Sequence, residues 1–293
     1  MKGGTRATAF GLDIQADADL PFLAGSAVRP TGRLLELALA ESADGLWPDP
    51  GELISDQRLP DEGGINFQIA RGAEHGYRIW GPSYGTHVLS ADGRRLRGAP
   101  GEDGLATWQR LLIAQALPFA AVLQGLEVLH ASAVAVDGDA IAFAGLSGSG
   151  KTSLALDLCR HGAEFLADDV IALELGEQLL VHPGAPVAGV VEDGRETIEQ
   201  VLPWPEPLPL RRVFLLERGP DGPAAPNFEP NVEAQELIAS TFNLVLADPA
   251  RLARLLEVCA LAAASTVERV RVGPGVDAGE LGAAVRERIG LSA

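Results

Sequence analysis

Residues 144–153 read AGLSGSGKTS. Gly145, Gly148, Gly150, Lys151 and Thr152 complete the spacing G-x-x-x-x-G-K-T, and Ser147, Ser149 and Ser153 fill the places between and after them. Glycines at this spacing let backbone N–H groups turn inward toward phosphate oxygens, and a helix starting there adds the positive end of its dipole. Lys151 would then reach the outer phosphates, and the Thr152 hydroxyl would bind Mg²⁺. The apolar run AIAFAG (140–145) precedes the loop and the helix-spaced TSLALDLCRHG (152–162) follows it, which is the order such a loop needs. Only two of the 23 basic residues are lysines, Lys2 and Lys151. A chance match at this composition is expected in roughly a few chains per thousand, so a mere glycine-rich turn is the weaker reading.

Phosphate binding alone does not choose between a pump, a switch and a kinase. The companions of the loop do. EFLADDVIALEL (164–175) places Asp168 and Asp169 one helix and a short turn beyond Lys151. A right-handed strand–helix–strand crossover would make the two strands parallel neighbours. Their C-terminal ends would share the edge where ligands bind. One aspartate could hold Mg²⁺ and the other accept a proton from an attacking hydroxyl. Adjacent strand residues face opposite sides, so equal roles for both need a bulge. His130 lies in the β-like run LEVLHASAVAV (126–136), whose strand should pair beside the loop strand through the tight turn DGD (137–139), and that could bring it to the same edge and orient a carboxylate. A GTP switch is disfavoured because no N-K-x-D segment exists, and a pump ATPase because its acidic strand comes much later in the chain.

The 293 residues carry a net charge of −17, with 47% apolar and 22% charged residues. That is globular composition, long enough for one large or two ordinary domains. No basic stripe is present, so a nucleic-acid partner is not expected. An acidic surface also repels anionic membranes. Cys159 and Cys259 stand a hundred positions apart and outside any C-x-x-C pair, which fits buried thiols in a reducing compartment. The start, MKGGTRATAF, has no apolar signal core, and no run approaches membrane-spanning length. A cytoplasmic protein is the expectation.

Residues 1–104 read as a β-rich domain, with strands FQIA, YRIW, THVLS and RRLRG forming an antiparallel meander. His75 falls in a turn and His87 in a strand, neither in a ligand cluster. LATWQRLLIAQALPFAAVLQ has helical spacing, and Pro118 should kink or divide it. Residues 105–125 are therefore read as a connecting helix and 126–293 as the phosphate-loop domain. Within the latter, 185–210 reads as a proline-rich surface loop and ERGPDGPAAPNFEPN (217–231) as a second loop. RRVFLLERG and TVERVRVGP read as strands, and VEAQELIASTFN, PARLARLLEVCALAAAS and AGELGAAVRERIG as helices.

The segment from LHASAVAV through GLSGSGKTS and CRHG to LADDV resembles the catalytic domain of HPr kinase/phosphorylase, itself similar to phosphoenolpyruvate carboxykinase. The matching elements are His130, Gly145 to Thr152, Arg160-His161-Gly162 and Ala167-Asp168-Asp169, over about 126–184. The resemblance implies an α/β P-loop kinase domain behind a smaller β-rich domain, with ATP and Mg²⁺ as cofactors. It implies Asp168 as acid/base with His130 as its partner, Lys151 on the phosphates, and Thr152 and Asp169 on the metal. It also implies transfer to a serine of a small protein, and makes a homo-oligomer an expectation. The family's later E-I-R-G-x-G signature is absent. Its nearest equivalent is VVEDGRE, with Glu192 as a weak metal candidate beside Asp193 and Arg195. The chain looks most like the shorter HPr-kinase-like proteins of bacterial peptide-maturation clusters, some of which resemble kinases of precursor peptides in lasso peptide pathways. The expected activity is a Mg·ATP-dependent serine kinase. The alternatives are a small-molecule hydroxyl kinase and a nucleotide-binding regulatory protein that transfers nothing.

Overall fold

ASAVAV and AIAFAG are apolar at nearly every position, the pattern of strands covered on both faces. In the computed structural model, which describes residues 4–48, 51–59, 63–73, 76–192, 195–230, 232, 236–237, 240–241 and 248–291, both runs lie in the middle of a mixed sheet. The fold is mixed α/β with large sheets. The chain divides into two units, Met1–Leu126 and Glu127–Ala293.

The first unit holds strands β1 (Arg6–Ala9), β2 (Leu12–Ala16), β3 (Leu34–Leu39), β4 (Glu52–Arg58), β5 (Ile65–Gly72), β6 (Gly76–Gly81), β7 (Gly85–Leu89) and β8 (Arg95–Ala99). They form one sheet in the order β1-β2-β3-β8-β7-β6-β5-β4. The β5-to-β8 meander expected from the sequence is antiparallel throughout, whereas β3 pairs parallel with both β2 and β8. Helices α1 (Gly104–Leu111) and α2 (Leu117–Leu123) are joined by a wider π turn over Leu112–Ala116. Pro118 lies in the first turn of α2, where its missing N–H costs least, so the helical run changes pitch just ahead of it. Trp108 is fully buried, donates Nε1–H to the Thr86 carbonyl at 3.0 Å and stacks on His87 at 4.5 Å. His87 is thus a core residue, and burial pushes its imidazole down to about 3. His75 lies outside the described residues.

The second unit contains β9 (Glu127–Leu129), β10 (Ala131–Val136), β11 (Asp139–Gly145), α3 (Lys151–Arg160), β12 (Glu164–Ala167), β13 (Ile171–Glu174), β14 (Leu180–His182), β15 (Val187–Glu192), β16 (Arg195–Gln200), β17 (Leu208–Arg218), β18 (Asn227–Pro230), α4 (Pro249–Ala264), β19 (Thr266–Val272) and α5 (Ala278–Ile289). The main sheet runs β12-β10-β11-β17, continues through β19 to β18, and extends from the start of β17 through β14 and β13 to β9. Leu154, Ala155 and Leu158 of α3 and Leu281 and Val285 of α5 pack with Val134, Phe143, Phe214 and Val270. Leu255, Val258 and Ala262 of α4 join a second cluster that includes Ala133, Ala142 and Val213. Alternate residues of each strand therefore feed different layers, each large side chain contributing about 1.5–3 kcal/mol on burial.

Three sequence expectations are corrected. β11 and β12 are parallel but not neighbours, because the antiparallel β10 lies between them. The stretch 185–210 is not all loop: β15 and β16 pair as a separate antiparallel hairpin, and β17 begins at Leu208. The proline-rich segment after β17 carries β18, which pairs with β19. α4, β19 and α5 occupy the runs read for them, whereas the helix read at VEAQELIASTFN lies mostly outside the described residues. Among the described residues no helix is long and apolar enough to cross a membrane.

Candidate functional site

Four strand ends meet at one edge of the second sheet. Ala131 of β10 lies opposite Ala144 of β11, Ala133 lies opposite Ala167 of β12, and Gly145 pairs with Leu216 of β17. The start of β10 and the ends of β11, β12 and β17 therefore converge. Each hands its chain to a residue of the candidate site.

The loop leaves β11 through Gly145 at φ 143, Gly148 at φ 78 and Gly150 at φ 99, conformations that strongly favour glycine. At Gly145 a Cβ would also stand 2.4 Å from the Leu216 carbonyl oxygen, so the close β11–β17 approach excludes any side chain. Leu146, Ser147 and Gly148 are exposed at the loop tip, and Ser153 is exposed on the first turn of α3. Ser149 is buried, and among the described residues its Oγ has no hydrogen-bond partner. Lys151 folds back, donating from Nζ to the carbonyls of Gly145 at 2.9 Å and Leu146 at 3.1 Å. Burial lowers its ammonium below the usual lysine range, while Asp169 and Asp168 pull the other way. Two carbonyls thus hold the ammonium, with two carboxylates nearby.

The aspartates owe their arrangement to a turn. β12 ends at Ala167, Asp169 takes a left-handed φ of 63°, and the Val170 N–H donates to the Asp168 carbonyl at 2.7 Å. A two-residue hydrogen bond around a positive-φ residue is the strained γ-turn class, which non-glycine residues rarely adopt. It removes the opposite-face rule of a regular strand. Asp168 Oδ1 accepts from Ser132 Oγ at 2.6 Å and Thr152 Oγ1 at 2.8 Å, and its Oδ2 accepts from the Gly189 N–H at 3.0 Å. Asp169 is about half exposed, and its Oδ1 stands 3.2 Å from His130 Nδ1. Lost hydration on its walled side raises the Asp169 carboxyl above its usual range. The His130 charge opposes this, the Asp168 charge adds to it, and Lys151 opposes it.

The resemblance implies His130 as the partner of Asp168, with Thr152 and Asp169 on the metal, and the structure arranges these side chains differently. Thr152 meets Asp168 rather than Asp169, and His130 meets Asp169 rather than Asp168. The cause is the turn, which presents Asp168 toward the start of α3 and β10 and leaves Asp169 on the open side with His130. Glu192 ends β15, but its side chain and all of Asp193 lie outside the described residues, as does the Arg195 side chain. Sequence reasoning passed over Ser132, the Gly189 amide and Arg218. Ser132 was the most legible of these: it is the single hydroxyl in ASAVAV, two residues from His130 and so on the same face of an extended chain. Nothing in the sequence marks Gly189, because its contact depends on the hairpin.

The Thr152 hydroxyl and the Asp168 carboxylate form a two-oxygen donor set beside a glycine-lined cradle. Mg²⁺ takes oxygen ligands and keeps several waters and phosphate oxygens, so one or two protein oxygens suffice. Among the described residues no group of three His, Cys, Asp or Glu side chains converges as a metal cage.

No protein-family model matches the chain, and no curated protein matches it. Among solved structures, the chain is similar to the HPr(Ser) kinase/phosphatase from Coxiella burnetii, with 15% identity, a TM-score of 0.33, and coverage of 55% of this chain and 93% of that one. So low an identity and so loose a superposition assign no residue a role.

Proposed function

We propose that Glu127–Ala293 carries the Mg·ATP site of a kinase that phosphorylates a serine hydroxyl on a peptide or small protein. The observation that carries this reading is the division of labour between the two aspartates. Asp168 accepts three hydrogen bonds, one of them from the loop threonine, and keeps acceptor capacity to spare, whereas Asp169 is open, paired with a histidine and held above the usual carboxylate range. Loop amides, Lys151 and the α3 N-terminus hold the phosphates. Thr152 and Asp168 would hold Mg²⁺, which supplies charge neutralisation to the phosphate chain.

Asp169 acts as the general base. Its carboxylate takes the proton of the acceptor hydroxyl as that oxygen bonds to the γ-phosphorus. The bond from the γ-phosphorus to its bridging oxygen breaks, and ADP leaves with the electron pair. His130 positions Asp169 and shares the proton it gains. This exchanges the aspartate roles that the family resemblance implies. The test is mass spectrometry of serine-containing peptides after incubation with Mg·ATP. Phosphoserine formed by the wild type and lost in Asp169→Asn supports the reading. ATP bound but never transferred to any hydroxyl overturns it in favour of a nucleotide-binding regulator.

A further inference from the structure

We propose that Arg218 is a second cation of the phosphate site and binds the polyphosphate chain directly; this rests on the phosphate-loop reading above. Arg218 ends β17, two residues beyond Leu216, which pairs with Gly145 at the mouth of the loop. Its Nη1 donates to the carbonyl oxygens of Gly273 at 3.0 Å and Val276 at 2.8 Å. Those bonds fix the plane of the half-buried guanidinium. They also turn Nη2 toward the loop, 3.8 Å from where a Cβ on Gly150 would stand.

Gly150 caps the N-terminus of α3, so Nη2 faces the place where the loop amides and the helix dipole already favour an anion. Among the described residues no carboxylate forms an ion pair with Arg218. The neighbouring Glu217 pairs with Arg269 instead. A carboxylate partner would neutralise the guanidinium. This one is held by neutral carbonyls that leave its charge uncompensated, with Nη2 and Nε donors to spare. In the same loop, the buried Ser149 Oγ has no hydrogen-bond partner among the described residues. The guanidinium fork suits phosphate oxygens in a way one ammonium does not. Lys151 can travel with the terminal phosphate while Arg218 stays fixed.

The experiment measures binding of Mg·ATP, inorganic tripolyphosphate and adenosine to the full chain and to Arg218→Met by calorimetry. The expected result is a roughly ten- to hundredfold loss for ATP and tripolyphosphate, with adenosine unchanged. A folded Arg218→Met chain that binds tripolyphosphate like the wild type overturns the proposal and leaves the phosphate-loop reading standing. If the wild type binds neither ATP nor tripolyphosphate, both fall. Should Arg218→Met not fold, phenylglyoxal labelling of the wild type, mapped by mass spectrometry, decides. Protection of Arg218 by tripolyphosphate supports the proposal, and labelling at an unchanged rate defeats it.

Discussion

Asp169 combines a left-handed backbone with a raised carboxyl, two features that work against stability at neutral pH. A carboxyl raised by the fold contributes stability only below its unfolded pKa, and that contribution is lost as pH rises through the folded value. At pH 7 the ionised group is therefore a liability, and asparagine tolerates the left-handed region well. Asp169→Asn should melt at or above the wild-type temperature at pH 7, with the gain shrinking toward pH 4, while transfer falls by roughly 10²–10⁴. Thermal melting across pH, paired with turnover, checks this; a variant that is both less stable and fully active contradicts it. Ser132 poses the converse case. It is fully buried and donates to Asp168, so Ser132→Ala should cost about 1–3 kcal/mol and raise the Mg²⁺ concentration needed for ATP binding. Urea unfolding and Mg²⁺ titration measure the two effects. The residue identities of this site were legible because glycine, lysine and aspartate at fixed spacing have few other uses. The pairing was not, because it depends on one φ angle that no propensity announces.

At the level of elements, the site depends on how closely β11 approaches β17. Gly145→Ala would put a methyl group 2.4 Å from the Leu216 carbonyl oxygen at a φ of 143°. Relief requires the strands to separate or the loop to shift, costing about 1–3 kcal/mol by overpacking. Thermal melting should show the loss, and nucleotide binding should fall with it. A variant with wild-type stability and affinity would show that the close approach is dispensable. The strand–loop–helix unit was readable because hydrophobic period, glycine spacing and a helix stop at His161-Gly162 agree. The β15–β16 hairpin was hidden because Pro183, Pro186 and the PWPEPLPL run dominate its flanks, and prolines there read as loop. The insertion of β10 between β11 and β12 was also invisible, since a short DGD turn fixes one neighbour of β10 and says nothing of the other.

For the whole molecule, ligand binding and folding are linked. Cys259 is buried and its thiol is pushed up to about 11, so alkylation at pH 8 should be slow in the folded chain and fast in urea. If the site binds Mg·ATP, a ligand concentration of 100 Kd should slow Cys259 alkylation through global unfolding about a hundredfold. An unchanged rate would mean that the nucleotide does not stabilise this unit. The most direct test of the central claim compares Asp168→Asn with Asp169→Asn for Mg²⁺-dependent ATP binding and for phosphoryl transfer to a serine-peptide pool. Asp168→Asn should lose Mg²⁺-dependent affinity. Asp169→Asn should bind ATP normally but transfer roughly 10²–10⁴-fold more slowly, whereas wild-type transfer should rise with pH through the raised Asp169 carboxyl. The opposite pattern, with Asp169→Asn losing Mg²⁺-dependent binding and Asp168→Asn retaining it, would contradict the assignment.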